Sequence, residues 1–104
     1  MTKMDPNKMM AELGKMQQQM EQAQEQLKTE HVEHSAGGGA VTVKMSGSLE
    51  VSEVTIKPEA IDPDDPEVLE DMVLAAVNEA LRSAEALMQS KVGGLMGGLG
   101  LPGF

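Results

Sequence analysis

The sequence predicts an α+β fold with the element order α-β-β-β-α, a three-stranded antiparallel meander between two long helices. Three observations carry this expectation. Met9, Leu13, Met16, Met20, Ala23 and Leu27 recur in steps of four and three, the heptad spacing of a helix that packs along one narrow seam. Val41, Val43 and Met45 alternate with Thr42, Lys44 and Ser46, the period-two pattern of a half-buried strand. Leu69, Met72, Val73, Ala76, Val77, Ala80, Ala84, Leu87 and Met88 form a wide stripe at three- and four-residue spacing, as a helix facing a core requires.

Each element follows in order. Asp5-Pro6 marks the first helix start, an N-cap acid followed by Pro at the first helical position. Gln17, Gln18, Gln19, Gln22, Gln24 and Gln26 fill the positions between seam residues and are uncharged helix formers. About 23 helical residues span roughly 35 Å. That is short for an autonomous coiled coil, so Met9, Leu13, Met16, Met20 and Leu27 are expected to pack on another helix of the same protein, within the chain or across a dimer. The helical period is lost over Thr29–Ser35, which reads as the first strand, and Ala36-Gly37-Gly38-Gly39-Ala40 is a turn. Gly47-Ser48 suits a tight hairpin. Leu49, Val51, Val54 and Ile56 make the third strand, with a slip of the alternation at Ser52-Glu53 that implies a bulge or a change of face. Pro58 to Pro66 is a loop, and Asp65-Pro66 repeats the cap signal for a second helix running to about Val92. Glu67, Glu70 and Asp71 near its start and Lys91 near its end suit the helix dipole. Gly93 to Phe104, rich in Gly, reads as a flexible, mildly apolar tail. The start of the first helix and the end of the second project to the same distal end, away from the strands.

Composition excludes several chemistries. The chain has 104 residues, with no Cys, Trp or Tyr, one Phe and two His. It has no means of building a disulfide framework, a thiolate metal site or a cysteine nucleophile. Two His leave little for metal or acid–base work, and a single aromatic ring makes no base-stacking platform. An apolar fraction of 40% separates the chain from a disordered acidic tail. A chain this short buries a thin core, so support from a second copy is expected. Met1–Met10 contains two Lys, an Asp and a Pro, unlike a secretory signal. No run approaches the ~18 apolar residues of a membrane helix. A soluble cytoplasmic protein is expected.

The local motifs favour structural readings. His31 and His34 look like a metal pair, but residues three apart on a strand face opposite sides. They read as solvated or edge-strand imidazoles, with no metal and no other cofactor. Gly37-Gly38-Gly39 precedes a strand and no Lys-Ser/Thr, which makes it a hairpin turn and not a phosphate cradle. Gly93/Gly97 and Gly94/Gly98 have GxxxG spacing without an apolar span around them. Glu50 with Glu53, and Asp62, Asp64 and Asp65, lack a local His or Lys and read as solvated acids. No G-x-S-x-G is present. No catalytic residue is assigned, and neither an enzyme nor a small-molecule substrate is expected.

Charge is unevenly distributed. The formal net charge is -9. Residues 1–28 balance four Lys against four acids, whereas residues 29–66 set Lys44 and Lys57 against eight acids, a net of -6. Residues 67–104 set Arg82 and Lys91 against five acids, a net of -3, with no acid after Glu85. The distal end is thus the least acidic part and the one able to approach a polyanion.

Several segments, in order, carry a family resemblance. They are Met9-Met10-Ala11-Glu12-Leu13-Gly14-Lys15-Met16-Gln17-Gln18-Gln19-Met20, Gly37-Gly38-Gly39-Ala40-Val41-Thr42-Val43 and Val54-Thr55-Ile56-Lys57-Pro58. Asp65-Pro66-Glu67-Val68-Leu69-Glu70-Asp71-Met72-Val73-Leu74-Ala75-Ala76-Val77-Asn78-Glu79-Ala80 and the ending Gly100-Leu101-Pro102-Gly103-Phe104 complete the set. Together, nearly end to end, the chain resembles the YbaB/EbfC family of small bacterial nucleoid-associated proteins. The resemblance implies a tweezer-like homodimer with helical arms on a joined sheet. It implies a dimer that binds double-stranded DNA, alters its conformation and acts in nucleoid organisation and gene expression, in the cytoplasm and on the nucleoid. Residues 1–92 would form the dimerising DNA-binding domain and 93–104 the Gly-rich tail. By position, Lys3, Lys8 and Lys15 of the first helix and Arg82 and Lys91 of the second carry over as phosphate contacts. Where the family's first helix is often richer in Lys, this chain has Gln. A second reading stays beside it: an acidic dimeric adaptor or chaperone-like clamp that holds a protein through its Met-lined arms.

Overall fold

The computed structural model describes residues 5–97. Helix α1 (Pro6–Thr29) starts where its cap predicts: the Asp5 carboxylate accepts the Asn7 N–H at 3.0 Å, and Pro6 takes the first position. Its last turn closes on the Gln26 carbonyl, which accepts the Glu30 N–H at 3.0 Å and the Thr29 hydroxyl at 3.0 Å. Strands β1 (His31–Ala36), β2 (Val41–Ser46) and β3 (Val51–Ile56) pair antiparallel in the order β1-β2-β3. A single 3-10 turn, Pro58–Ala60, lies within the expected loop, and α2 follows over Pro66–Gly97. The observed order is the predicted α-β-β-β-α.

The turns show why the sequence punctuates as it does. Gly37, Gly38 and Gly39 have φ of +64°, +68° and +93°, a sign that side chains with a Cβ resist. A Cβ on Gly37 would also collide with Met72 Sδ. The β2–β3 connection is longer than the predicted tight turn. Ser46 N–H donates to the Glu50 carbonyl at 2.8 Å and Leu49 N–H donates to the Ser46 carbonyl at 3.0 Å, so Gly47–Glu50 form the loop. Leu49, expected in the third strand, sits in this loop with φ +68°. Gly47 is committed elsewhere. Its N–H donates to the Glu30 carbonyl at 2.9 Å, and a Cβ there would lie 2.6 Å from Leu27 Cδ2. The turn therefore forms around the seat of α1 and not as a two-residue hairpin. The predicted slip is present as a bulge: Lys44 pairs with Glu53 and Met45 with Val51, leaving Ser52 extra, its hydroxyl donating to the Lys44 carbonyl at 3.1 Å.

The core is narrow. Val41, Val43 and Met45 of β2 face Ala76, Ala80 and Ala84 of α2, and all six are buried. Alanines every fourth residue let the helix backbone lie close to the sheet at no side-chain entropy cost. Val32, Ala36, Ile56, Leu69, Met72, Val73, Val77 and Leu81 pack around this centre. The helix covers β1 and β2. β3 is left beside it: Val54 pairs with buried Val43 and shares its face, yet remains 46% exposed.

One flank of α2 is covered only in part as well. Ser83 reaches β1 through its hydroxyl, 2.6 Å from His34 Nε2. Met72, about three turns earlier, lies on the same flank, against Gly37. Helical periodicity puts Leu74, Val77, Leu81, Met88 and Val92 on the opposite flank, where Leu74 is exposed and the others are half-buried.

Both helices extend past the sheet. The principal extents are 74 × 23 × 16 Å and the radius of gyration is 20.3 Å, against about 13 Å for a compact domain of this size. α2 runs to Gly97, beyond the expected stop at Val92. Each Gly costs only about 1 kcal/mol relative to Ala, and an established helix still gains one hydrogen bond per added residue. The remainder of the expected tail, 98–104, lies outside the described residues. Along α1 the seam is buried from the base outwards: Leu27 and Ala23 are buried, Met20 and Met16 half-buried, and residues 5–15 exposed throughout. Met9 and Leu13, expected in the same packing seam, are 43% and 61% exposed in the protomer, because α1 outruns the elements it packs on. Leu27→Ala is therefore expected to lower the free energy of unfolding by about 2–5 kcal/mol. Leu13→Ala should change it by no more than about 0.5 kcal/mol, both read by urea unfolding at one protein concentration.

Candidate nucleic-acid interface

The projecting part of α1 is the surface best placed to meet an extended ligand. Lys8 and Lys15 lie a heptad apart and hence on one face of the helix. Both are exposed, and neither takes part in an ion pair among the described residues. Lys28, at the base, is bound to Glu25 at 3.0 Å. Exposed ammonium groups on a bare helix can reach phosphates without first breaking a partner contact.

The other expected contacts do not join them in one site. Lys3 lies outside the described residues. Arg82 is on the solvent side of α2, paired with Glu79 one turn before it. Lys91 is turned inward: its Nζ donates to Glu30 Oε1 at 2.6 Å and to Gln26 Oε1 at 3.0 Å, and its side chain is 20% exposed. The structure thus gathers Lys8 and Lys15 on the arm, leaves Arg82 over the body and engages Lys91 at the junction of the two helices.

The sheet offers the opposite character. Glu33, Lys44 and Glu53 stand in one cross-strand row on the face away from α2, with Thr42 and Thr55 beside them. Two carboxylates flank one ammonium, so this face presents a net negative row. A polyanion approaching the body would be repelled while the arm stays neutral. His31 lies on that outer face and His34 on the inner one, bonded to Ser83. The His34–Ser83 contact had no local signal, since its partners are 49 residues apart. The Arg82–Glu79 pair had one, because i,i+3 spacing on a helix brings opposite charges together. Among the described residues no group of three or more His, Asp or Glu is placed to hold a metal ion, and no helix is long and apolar enough to cross a membrane.

The YbaB/EbfC DNA-binding family model matches residues 2–99. The chain belongs to that family. Proteins named nucleoid-associated protein from Alkaliphilus metalliredigens and Acetivibrio thermocellus are 50% and 52% identical to it, each over 94% of this chain and 86% and 88% of their own. One from Chloroflexus aurantiacus is 47% identical over 92% of this chain and 96% of its own length. The crystal structure of an uncharacterized protein from Helicobacter pylori has the same fold, with a TM-score of 0.81 over 90% of this chain and 99% of that one, at 21% identity. YbaB/EbfC membership makes DNA the ligand for which the arm must be judged. Exposed helical ion pairs contribute about 0.3–0.5 kcal/mol. Arg82→Gln is accordingly expected to leave urea-unfolding stability within about 0.5 kcal/mol, so any loss of DNA affinity in that variant reports a contact and not misfolding.

Proposed function

We propose that the protein binds double-stranded DNA as a homodimer, alters its conformation and acts on the nucleoid, in chromosome organisation and gene expression. The observation that supports this most directly is the bare arm of α1, with Lys8 and Lys15 on one face and the acids concentrated on the sheet and its loops. The names of the relatives point the same way. Two arms per dimer double each Lys and let the molecule grip one duplex or bridge two. Affinity then comes from phosphates, and sequence preference from DNA shape and deformability.

The incompletely covered apolar surfaces of the body support a dimer. Leu74, Val77, Leu81, Met88 and Val92 make a continuous stripe on one flank of α2, and Val51 and Val54 of β3 lie uncovered on the core face of the sheet. Apolar surface that the chain covers only in part, running on from exposed Leu74, Val51 and Val54, is the kind that marks an interface. A second copy is the partner expected of a thin core. Wild-type protein is expected to sediment at twice the 11.1 kDa chain mass. Leu74→Glu or Val54→Glu, each placing a charge within the apolar surface, should shift it to the monomer; a wild-type monomer would overturn the dimer.

Phosphate binding has its own signature. Each phosphate neutralised contributes a slope of about -0.9 to log K against log salt. Lys8→Gln with Lys15→Gln removes two cations per protomer. In a fluorescence anisotropy titration of a duplex this should flatten the slope by about 3–4. An affinity that ignores salt, or a slope unmoved by the double variant, rejects the assignment. The exposed Met9, Met10 and Leu13 favour the second reading, a clamp for a protein. Under it the same double variant leaves ligand capture unchanged, and a co-purified protein persists after nuclease treatment.

A further inference from the structure

We propose that Lys91 is a positioning residue, a latch that sets the angle of the α1 arm against the body, and that it makes no phosphate contact. The inference rests on the DNA-binding reading for its consequence but not for its geometry. Lys91 Nζ bonds Glu30 Oε1 at 2.6 Å and Gln26 Oε1 at 3.0 Å, across 61 and 65 residues of sequence. Gln26 lies in the last turn of α1 and Glu30 is its C-cap, where a cation also meets the negative end of the helix dipole. Glu30 is a junction in its own right. Its N–H closes α1 on the Gln26 carbonyl, its carbonyl accepts the Gly47 N–H at 2.9 Å, and its carboxylate takes Lys91. One residue thus ties the arm to the β2–β3 loop and to α2.

The leverage is large. α1 extends about 30 Å from Gln26 to Pro6, so a tilt of about 10° at the base moves the tip by about 5 Å. That exceeds the ~3.4 Å axial spacing of phosphates along one DNA strand. Loss of the latch would therefore spread Lys8 and Lys15 over positions in and out of register with a duplex, so that binding must first re-order the arm and then makes the same phosphate contacts at lower affinity, although Lys91 itself lies at the opposite end of the arm.

The test measures the arm with and without DNA. The chain has no Cys, so spin labels at Gln18→Cys and Asn78→Cys, diluted with unlabelled protein, report one arm-to-body distance per chain. Wild type should give a narrow distribution. Lys91→Met, which keeps the buried aliphatic stem, should broaden or shift it. The exchanged pair Glu30→Lys with Lys91→Glu should narrow it again. If Lys91→Met does not fold, Glu30→Gln removes the charge of the acceptor alone and should broaden the distribution in the same sense. On a duplex, Lys91→Met should weaken binding by several-fold with the salt slope unchanged. An unchanged distance distribution overturns the latch. A salt slope reduced by about 2 per dimer, as loss of two phosphate contacts demands, overturns it too. If wild type binds no DNA, the distance measurement still decides the latch.

Discussion

How closely α2 can approach β2 governs the rest of the molecule. Ala76, Ala80 and Ala84 present no more than a methyl group to Val41, Val43 and Met45, and all are buried. A helix with so slim a face lies low on the sheet and covers little beyond β1 and β2. Larger residues at those positions would lift it and open voids beside the valines. The close fit has two consequences. β3 and the Leu74–Val92 flank of α2 are left only partly covered, and α1 finds a place only at its base, where its last turns meet α2 and the β2–β3 loop. The same constraint that makes the core thin therefore leaves apolar surface for a partner and a long helix bare in solvent.

Much of this was legible because it is local. The Asp5-Pro6 cap, the alternation in β2, the slip at Ser52 and the glycines with positive φ all express short-range sterics or period, and each stands where the sequence placed it. The departures share a cause. The seam from Met9 to Leu27 has one spacing from end to end, but burial within the protomer depends on how far the neighbouring elements reach, and they stop short of Leu13. Leu49 carries strand-like character and still turns, because Gly47 is held by Leu27 and Glu30. The end of α2 was misplaced for a related reason: glycine lowers helix propensity by an amount that continuation of a long helix can exceed.

Cations show the same limit. Lys8, Lys15, Arg82 and Lys91 are equivalent as letters, and position alone divides them. Lys8 and Lys15 lie on a bare helix, Arg82 shares its charge with Glu79, and Lys91 is drawn to the base of α1 by Glu30. Counting basic residues overstates the number available to phosphate, since a paired cation must give up one carboxylate to meet another anion. Of the expected contacts within the described residues, the pair on the arm could meet a phosphate without that loss.

Two kinds of force hold the arm, and salt acts on them differently. Leu27 against Gly47 is an apolar contact, indifferent to screening at ordinary ionic strength. The Lys91–Glu30 pair is mostly shielded from solvent on the lysine side and is screened less than exposed charges are. Lys8 and Lys15 are exposed, and their attraction for a phosphate falls steeply as counterions compete. Rising salt would therefore weaken a phosphate contact at Lys8 and Lys15 before it loosened the arm. On the proposed reading, a molecule built this way would keep the geometry of its arm while empty, and binding would be governed by charge at the tip and not by assembly of the arm on DNA.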